Sequence, residues 1–424
     1  MSYLNASIIT TTHPPLKAET LDNMDSSENK PLSFWSILII FTRLGLTSFG
    51  GPIAHLGYFR EEFVVRRKWL SEQIYADMVS LCQFLPGPAS SQVGMVLGYT
   101  QKRYLGALAA WLGFTLPSAI ALILFAYGLT NYSQWISPNV IHGLKIVAVA
   151  VVAQAVWGMA KNLCPDLVRR ILMIIAASLI LTFPSFIWGQ IGVIIVAGIF
   201  GALYFSPKQV TKHEPLPIKI SHTIGMIWIS LFFILLFLLP VLQDLYPSQA
   251  LAMTSAFYRA GSLVFGGGHV VLPLLQAEVV PNGWVSNETF LAGYGATQAM
   301  PGPLFTFAAF LGASATNIPS GWIGGMICLL AIFAPAFLLV MGALPFWETL
   351  RRRVRAQAAL MGVNAAVVGI LLAALYDPVW TSAILRISDF LLAVLAFLAL
   401  VYWKLPSWFV VISTGALTWV VAII

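Results

Sequence analysis

An eleven-residue pattern occurs twice in this chain, and it limits what the chain can fold into. Phe41-Thr-Arg43-Leu-Gly45-Leu-Thr-Ser-Phe49-Gly50-Gly51 returns as Phe257-Tyr-Arg259-Ala-Gly261-Ser-Leu-Val-Phe265-Gly266-Gly267, with six of the eleven positions identical. Downstream, Trp69 and Gln83-Phe-Leu-Pro86-Gly87-Pro88 return as Trp284 and Gln298-Ala-Met-Pro301-Gly302-Pro303. The offset is 216 for the first motif and 215 for the second, so the copies differ by one loop residue. Both motifs interrupt apolar stretches. Paired, interrupted hydrophobic segments in the two halves of a membrane chain point to a transporter's binding site.

The setting of the motifs is a lipid bilayer. Hydrophobic residues make up 59% of the chain and charged residues 9%, against about 25% charged in soluble domains. Runs 104–130, 223–242 and 387–402 approach or exceed the roughly 20 residues a spanning helix needs. Residues 1–33 are polar and mixed in charge, without the basic-then-apolar order of a signal peptide, and are expected to form a disordered tail. Cys82, Cys164 and Cys328 are scattered, so neither a disulfide framework nor a metal site is expected, and no cofactor is implied. The net charge of +7 flanks apolar helices, which reads as topology signals and not as a nucleic-acid interface.

Basic loops set the expected topology. Arg60, Arg66, Arg67 and Lys68 share one loop, and Lys102 and Arg103 form a second. Lys161, Arg169 and Arg170 share a third, Lys208, Lys212 and Lys219 a fourth, and Arg351, Arg352, Arg353 and Arg355 a fifth. These are sixteen of the 23 lysines and arginines, and the positive-inside rule places all five loops in the cytoplasm. The repeats reverse this pattern. Loop 60–68 corresponds to uncharged 277–283 apart from Glu278, Lys102-Arg103 to Asn317-Ile318, and segment 131–141, without Lys or Arg, to the arginines around 346–356. The halves are therefore expected to be inverted, joined by one linker helix at 223–242. Lys145 and Arg386 fit this scheme poorly, since both fall near the outer face, where snorkelling would have to carry their charges to water.

Segments beside the motifs are too short to span: about 16 residues from Phe34 to Phe49, and about 13 each for 73–85 and 89–101. Entry and return at each break keeps the tail, loop 60–68 and Lys102-Arg103 on one side. Full crossings are expected near 104–130, 142–160, 171–183, 186–204, 223–242, 320–345, 357–375, 382–401 and 405–424. The expected fold is an all-α polytopic membrane protein of two inverted homologous halves with broken, re-entrant helical hairpins. Its parts are a cytoplasmic tail (1–33), a first repeat (34–205), a cytoplasmic loop with linker helix (206–250) and a second repeat (251–424).

Pro-Gly-Pro cannot continue a helix, because each proline removes a donor and clashes with the preceding turn. The helix that follows begins with unpaired N–H groups and partial positive charge, which suits an anion. Ser90, Ser91 and Thr306 lie in those first turns and add hydroxyls; the alternative is a structural kink. Adjacent glycines Gly50-Gly51 and Gly266-Gly267 can form an amide nest for an oxyanion or allow tight helix packing. Arg43 and Arg259 each precede their glycines by seven residues, two helical turns. An intramembrane arginine costs roughly 2.5–3.5 kcal/mol on insertion scales, so each is expected to face a cavity or partner, or to snorkel. Paired guanidinium forks suit a tetrahedral dianion. Gln83 and Gln298 could donate to the same anion or pack.

Among acids, Glu62 and Glu278 occupy equivalent positions and Asp77 lies in the first Pro-Gly-Pro hairpin. These three and His269, beside the second glycine motif, are the proton-coupling candidates, with a surface salt bridge to the neighbouring basic residues as the competing reading of Glu62. His55 and His142 lack a partner pattern. No phosphate-binding loop or nucleophile elbow is present, which disfavours an ATP-driven pump and an enzyme.

The duplicated F-x-R-x-G-x-x-x-F-G-G, each copy followed by Q-x-x-P-G-P, resembles the chromate ion transporter family in its long, two-domain form, over residues 34–424. The resemblance implies chromate efflux across the inner (plasma) membrane, conferring resistance, driven by the proton-motive force and with sulfate as a close analogue. The matching positions are Arg43, Gly50, Gly51, Pro86, Gly87 and Pro88, then Arg259, Gly266, Gly267, Pro301, Gly302 and Pro303. Gly268 stands where the first half has Pro52, so a differently shaped second loop is expected. Physics favours the outward direction: a dianion leaving a negative-inside cell gains about 4.6 kcal/mol per 100 mV, twice the value for one charge. A sulfate or other oxyanion transporter, and an anion channel of the same architecture, remain as alternatives. The expected partners are the anion and the lipid bilayer, with a homodimer left open.

Overall fold

The computed structural model describes residues 32–131, 137–183, 189–207 and 220–421. Most of the tail, segment 132–136 and Lys208, Lys212 and Lys219 lie outside the described residues.

The repeat is written first into helix starts. Ser33 accepts from the Ser36 amide and begins α1 (Phe34–Thr47), and Ser71 accepts from the Ile74 amide and begins α3 (Glu72–Phe84), with α2 (Gly51–Arg60) between them. A serine N-cap satisfies one of the four orphan donors at a helix start. After the first Pro-Gly-Pro come α4 (Ala89–Asn131), α5 (Pro138–Leu163), α6 (Leu167–Thr182) and α7 (Gly189–Tyr204), and then the joining helix α8 (His222–Leu245).

The second half reuses the scheme. Ser248 caps α9 (Gln249–Leu263) through the Leu251 amide, and Ser286 caps α11 (Asn287–Thr297) through the Thr289 amide, with α10 (Val271–Val279) between them. Both caps sit 215 residues after their counterparts, Ser33 and Ser71. There follow α12 (Phe307–Ala313), α13 (Gly321–Ala343), the short α14 (Trp347–Leu350), α15 (Val354–Ala374), the short α16 (Thr381–Ala383), α17 (Ile387–Val401) and α18 (Ser407–Val421). No strand occurs among the described residues. The protein is an all-α, multi-pass membrane protein.

The long α4 is two helices. Its backbone leaves helical geometry at Lys102 and Arg103 (φ +46° at Arg103), the pair predicted to turn at the cytoplasmic face. The chain then folds back, so that Gly98 and Gly106 meet: a Cβ on Gly98 would stand 2.2 Å from the Gly106 carbonyl oxygen. Gly312 and Gly324 repeat the contact between α12 and α13, again at 2.2 Å. Only glycine lets two backbones approach this closely.

Among the described residues, five helices are long and apolar enough to cross a membrane: Ala89–Thr130, Pro138–Leu163, His222–Leu245, Gly321–Leu350 and Val354–Ala383. The linker α8 turns Ile227, Phe237 and Leu245 outward, all more than half exposed. Such a surface is stable only against lipid or protein. Of the two charges that fitted poorly, Lys145 has an ion-pair partner, whereas Arg386 is exposed and held through its backbone amide. Lys145 is buried and reaches Glu288 at 3.4 Å. At the start of α17, Asp389 accepts from the Arg386 amide and pairs with His142 at 3.2 Å.

Candidate anion site

Both Pro-Gly-Pro turns depend on glycine for their shape. Gly87 has φ +119° and Gly302 has φ +91°, a region in which a side chain is strained. Each turn is fastened to the glycine motif of the opposite half. The Gly87 amide donates to the Val264 carbonyl at 2.7 Å, and the Gly302 amide donates to the Ser48 carbonyl at 2.9 Å. Ser48 and Val264 are equivalent residues, each immediately before Phe-Gly-Gly. The reciprocal bonds therefore bring four helix breaks to one place, two from each half.

The two glycine motifs also meet. A Cβ at Gly268 would stand 3.1 Å from Pro52 Cγ, and Gly51 lies beside His269 Nε2 (3.9 Å from a Cβ at Gly51). The departure Pro52/Gly268 thus has a steric reason: the equivalent positions face each other, and a side chain at 268 would crowd the proline ring. The second loop does differ in shape, entering α10 through a 3-10 turn at Gly268–Val270 where the first enters α2 directly.

The predicted polar residues divide. Ser90 and Ser91 are buried in the first turn of α4, where the amides of Ala89, Ser90 and Ser91 have no backbone acceptor. Thr306 is buried, but its hydroxyl donates to the Pro303 carbonyl at 2.7 Å. Gln298 is buried with its side-chain nitrogen unpartnered, whereas Gln83 is exposed. The two glutamines, equivalent in sequence, are therefore placed differently. His269 Nδ1 is 2.8 Å from the Tyr294 hydroxyl.

The two arginines do not converge. Arg43 is exposed on α1 and its side chain makes no hydrogen bond or ion pair among the described residues. Arg259 holds Glu278 with two bonds, Nε to Oε1 at 2.8 Å and Nη2 to Oε2 at 2.7 Å. Glu62, the counterpart of Glu278, is taken by Arg66 and Arg67, both at 2.7 Å. The first half carries two extra arginines in the loop after α2, and these capture the acid that would otherwise meet Arg43. Asp77 is buried and accepts from Arg351 Nη1 at 2.8 Å and Trp347 Nε1 at 3.1 Å, bridging the two halves.

Sequence reasoning missed several residues. His55 is 1% exposed, with Nδ1 3.4 Å from Ser90 Oγ and its ring edge-on to Phe114 at 5.2 Å. Gln92 is fully buried and donates to the Pro86 carbonyl at 2.9 Å. Pro117 and Pro335 lie inside α4 and α13 beside the turns: Ser118 flanks Gly302 and Ala336 flanks Gly87, each 3.0 Å from a Cβ there. The equivalent prolines, 218 residues apart, are the signal that could have located these walls.

Broken helices from two homologous halves, joined at a buried polar centre in a multi-pass membrane chain, define a protein of the transporter class. The chain belongs to the chromate transporter family, whose profile matches it twice, at residues 35–202 and 251–419. It is similar to a probable chromate transport protein of Synechococcus elongatus, 27% identical over 336 residues that cover 78% of this chain and 80% of that one. It is also similar to a chromate transport protein of Cupriavidus metallidurans, 24% identical over 399 residues covering 91% and 92%. An uncharacterized transporter of Bacillus subtilis is 28% identical over 171 residues, 94% of its own length but 39% of this chain. No solved structure matches the chain.

Proposed function

We propose that this protein exports chromate, a tetrahedral oxyanion, across the cytoplasmic membrane, coupled to the proton-motive force, with its N-terminus in the cytoplasm. The observation that carries this reading is the reciprocal bonding of each Pro-Gly-Pro turn to the opposite half. It gathers unpaired helix-start amides at the interface between two bodies that can move against each other. A site so placed is exposed alternately as the halves rock, which a channel does not require.

Inversion of the halves draws support from the charge contacts. Arg351, just before α15, reaches Asp77 midway along α3, and Lys145, two turns into α5, reaches Glu288 at the start of α11. α15 is the counterpart of α5, and α11 of α3. The hairpin of α4 separates the starts of α3 and α5, so a two-fold axis in the membrane plane accounts for both contacts.

Among the proton-coupling candidates, Asp77 has the most suitable position. Its carboxylate is buried and its cationic partner belongs to the other half, so a proton on Asp77 would cut a link between the halves. Glu62 and Glu278 are paired within their own halves. The test is accumulation of radiolabelled chromate and sulfate by everted vesicles, with and without a pH gradient. Gradient-dependent chromate accumulation is expected. Equal accumulation after the gradient is collapsed, with large anion currents, would identify a channel. Accumulation of sulfate alone would identify a sulfate transporter.

A further inference from the structure

The repeat makes the two halves comparable residue by residue, and around the turns they differ in kind. In the first half, Ser48, His55, Ser90, Ser91 and Thr115 are all 2% exposed or less. Their counterparts are Val264, Val271, Phe305, Thr306 and Phe333, four of them apolar. The one polar counterpart, Thr306, turns its hydroxyl onto the Pro303 carbonyl. In the first half, by contrast, Ser48 Oγ, His55 Nε2, Ser91 Oγ and Thr115 Oγ1 are buried without a hydrogen-bond partner among the described residues. Buried polar groups are nearly always partnered, so four orphans on these elements call for an explanation that packing does not supply.

Their placement points to one locus. His55 Nδ1 lies against Ser90 Oγ, in the first turn of α4, where Ser91 follows. The Ser48 carbonyl holds the Gly302 amide of the second turn. A Cβ at Gly302 would stand 3.1 Å from the Phe114 carbonyl oxygen, so the segment of α4 that carries Thr115 borders the second turn. Phe59 and Phe114, 5.0 Å apart, wall the side toward His55. Within such an apolar wall each donor acts more strongly than in water.

We infer that the oxyanion is bound chiefly by neutral donors of the first half, Ser48, His55, Ser91 and Thr115 with the first-turn amides of α4. The second half supplies an apolar counterpart and the Gly302 clamp. This rests on the oxyanion-transport reading above and names its site. When Ser90 donates its hydroxyl proton to Nδ1, the imidazole carries its proton on Nε2 and offers it to the ligand. Hydroxyls, imidazole N–H and helix-start amides all donate to the acceptor-only oxygens of a fully deprotonated tetrahedral dianion such as chromate or sulfate. No guanidinium is required: Arg43 points outward and Arg259 is occupied by Glu278. A dianion held by dipoles and not by fixed cations is released readily, as turnover demands.

The experiment is equilibrium binding of radiolabelled sulfate and chromate to the purified full-length protein, with thermal unfolding of the ligand-free protein beside it. Ser48→Ala and Thr115→Val are near-isosteric. Each is expected to weaken binding at least tenfold while leaving the ligand-free melting temperature unchanged or higher, because an unpartnered buried hydroxyl is removed. His55→Gln, which keeps a donor, is expected to retain more binding than His55→Val. Ser80→Ala, which removes an exposed hydroxyl of α3 away from the turns, is expected to change affinity less than threefold. Wild-type affinity in the Ser48→Ala/Thr115→Val double variant, with the unmodified protein binding normally, would overturn this assignment and leave the transport reading intact. Failure of the unmodified protein to bind either anion would instead overturn the transport reading.

Discussion

Removing Arg351 tests the link between the halves most directly. The Asp77 side chain is 1% exposed and that of Arg351 10%, with Nη1 to Oδ2 at 2.8 Å. Arg351→Ala takes the guanidinium away from a buried carboxylate that Trp347 Nε1 still holds. Breaking a buried pair from one side costs about 3–5 kcal/mol. The second partner, Glu348, adds little, because its side chain is 45% exposed. Asp77→Asn removes the charge but keeps a polar group opposite Trp347, and the guanidinium it leaves behind still has Glu348. Its cost should therefore be smaller. The double variant should recover part of the loss, with a coupling energy on the order of 0.5–3 kcal/mol. Thermal unfolding in detergent reads this as a fall on the order of 5–10 °C for Arg351→Ala, a smaller fall for Asp77→Asn, and a double variant above Arg351→Ala. A melting temperature equal to wild type for Arg351→Ala would refute the reasoning, since a buried carboxylate cannot lose its guanidinium partner free of cost. Vesicle transport on the same proteins would show whether Asp77→Asn loses its dependence on the pH gradient, as a proton-carrying Asp77 requires.

Other expectations follow from the turns, the arginines and the topology. Gly87→Ala and Gly302→Ala should each cost about 1–2 kcal/mol from positive φ alone, and more from the contacts with Ala336 and Ser118; thermal unfolding and the half-saturation concentration for chromate check both, and no change in either would show the turns to be pliable. Arg259→Ala, which strands the largely buried Glu278, should impair stability and transport more than Arg43→Ala, and equal losses in vesicle assays would count against the observed pairing. Cysteines at exposed Asn139 and Arg352, with the buried native cysteines replaced, should react with impermeant reagent from the outside and the cytoplasm respectively; labelling of both from one side would exclude inverted halves.

Much of the architecture was legible in the sequence because it is enforced locally. Two prolines around a glycine break a helix wherever they stand, so both breaks at 86–88 and 301–303 could be read directly. Apolar runs long enough to span became α4 beyond its turn, α5, α8, α13 and α15. Lys102-Arg103 turned the chain where adjacent charges oppose burial in lipid. Matched serines 33/248 and 71/286 carried the same message at helix starts and were overlooked, because a serine cap is recognised only once the helix beside it is placed.

The contents of the site were not legible in this way. Sequence equivalence paired Arg43 with Arg259 and Gln83 with Gln298, yet one of each pair faces outward and the other is partnered or buried. Which acid an arginine meets depends on rivals elsewhere in the chain, and Arg66 and Arg67 take Glu62 first. His55 had no partner pattern because its neighbours, Ser90 and Phe114, come from elements 35 and 59 residues away. The sequence by itself determined that there would be two halves, where each would break, and which stretches would enter lipid, since helix propensity and hydrophobicity act residue by residue. Only the tertiary structure decided that each break would be clamped by the other half, and that Ser48, His55, Ser91 and Thr115 would be buried where the second half has mostly apolar residues. Hydrogen bonding and burial are relations between distant residues, and a repeat in the chain does not oblige its two copies to meet the same neighbours.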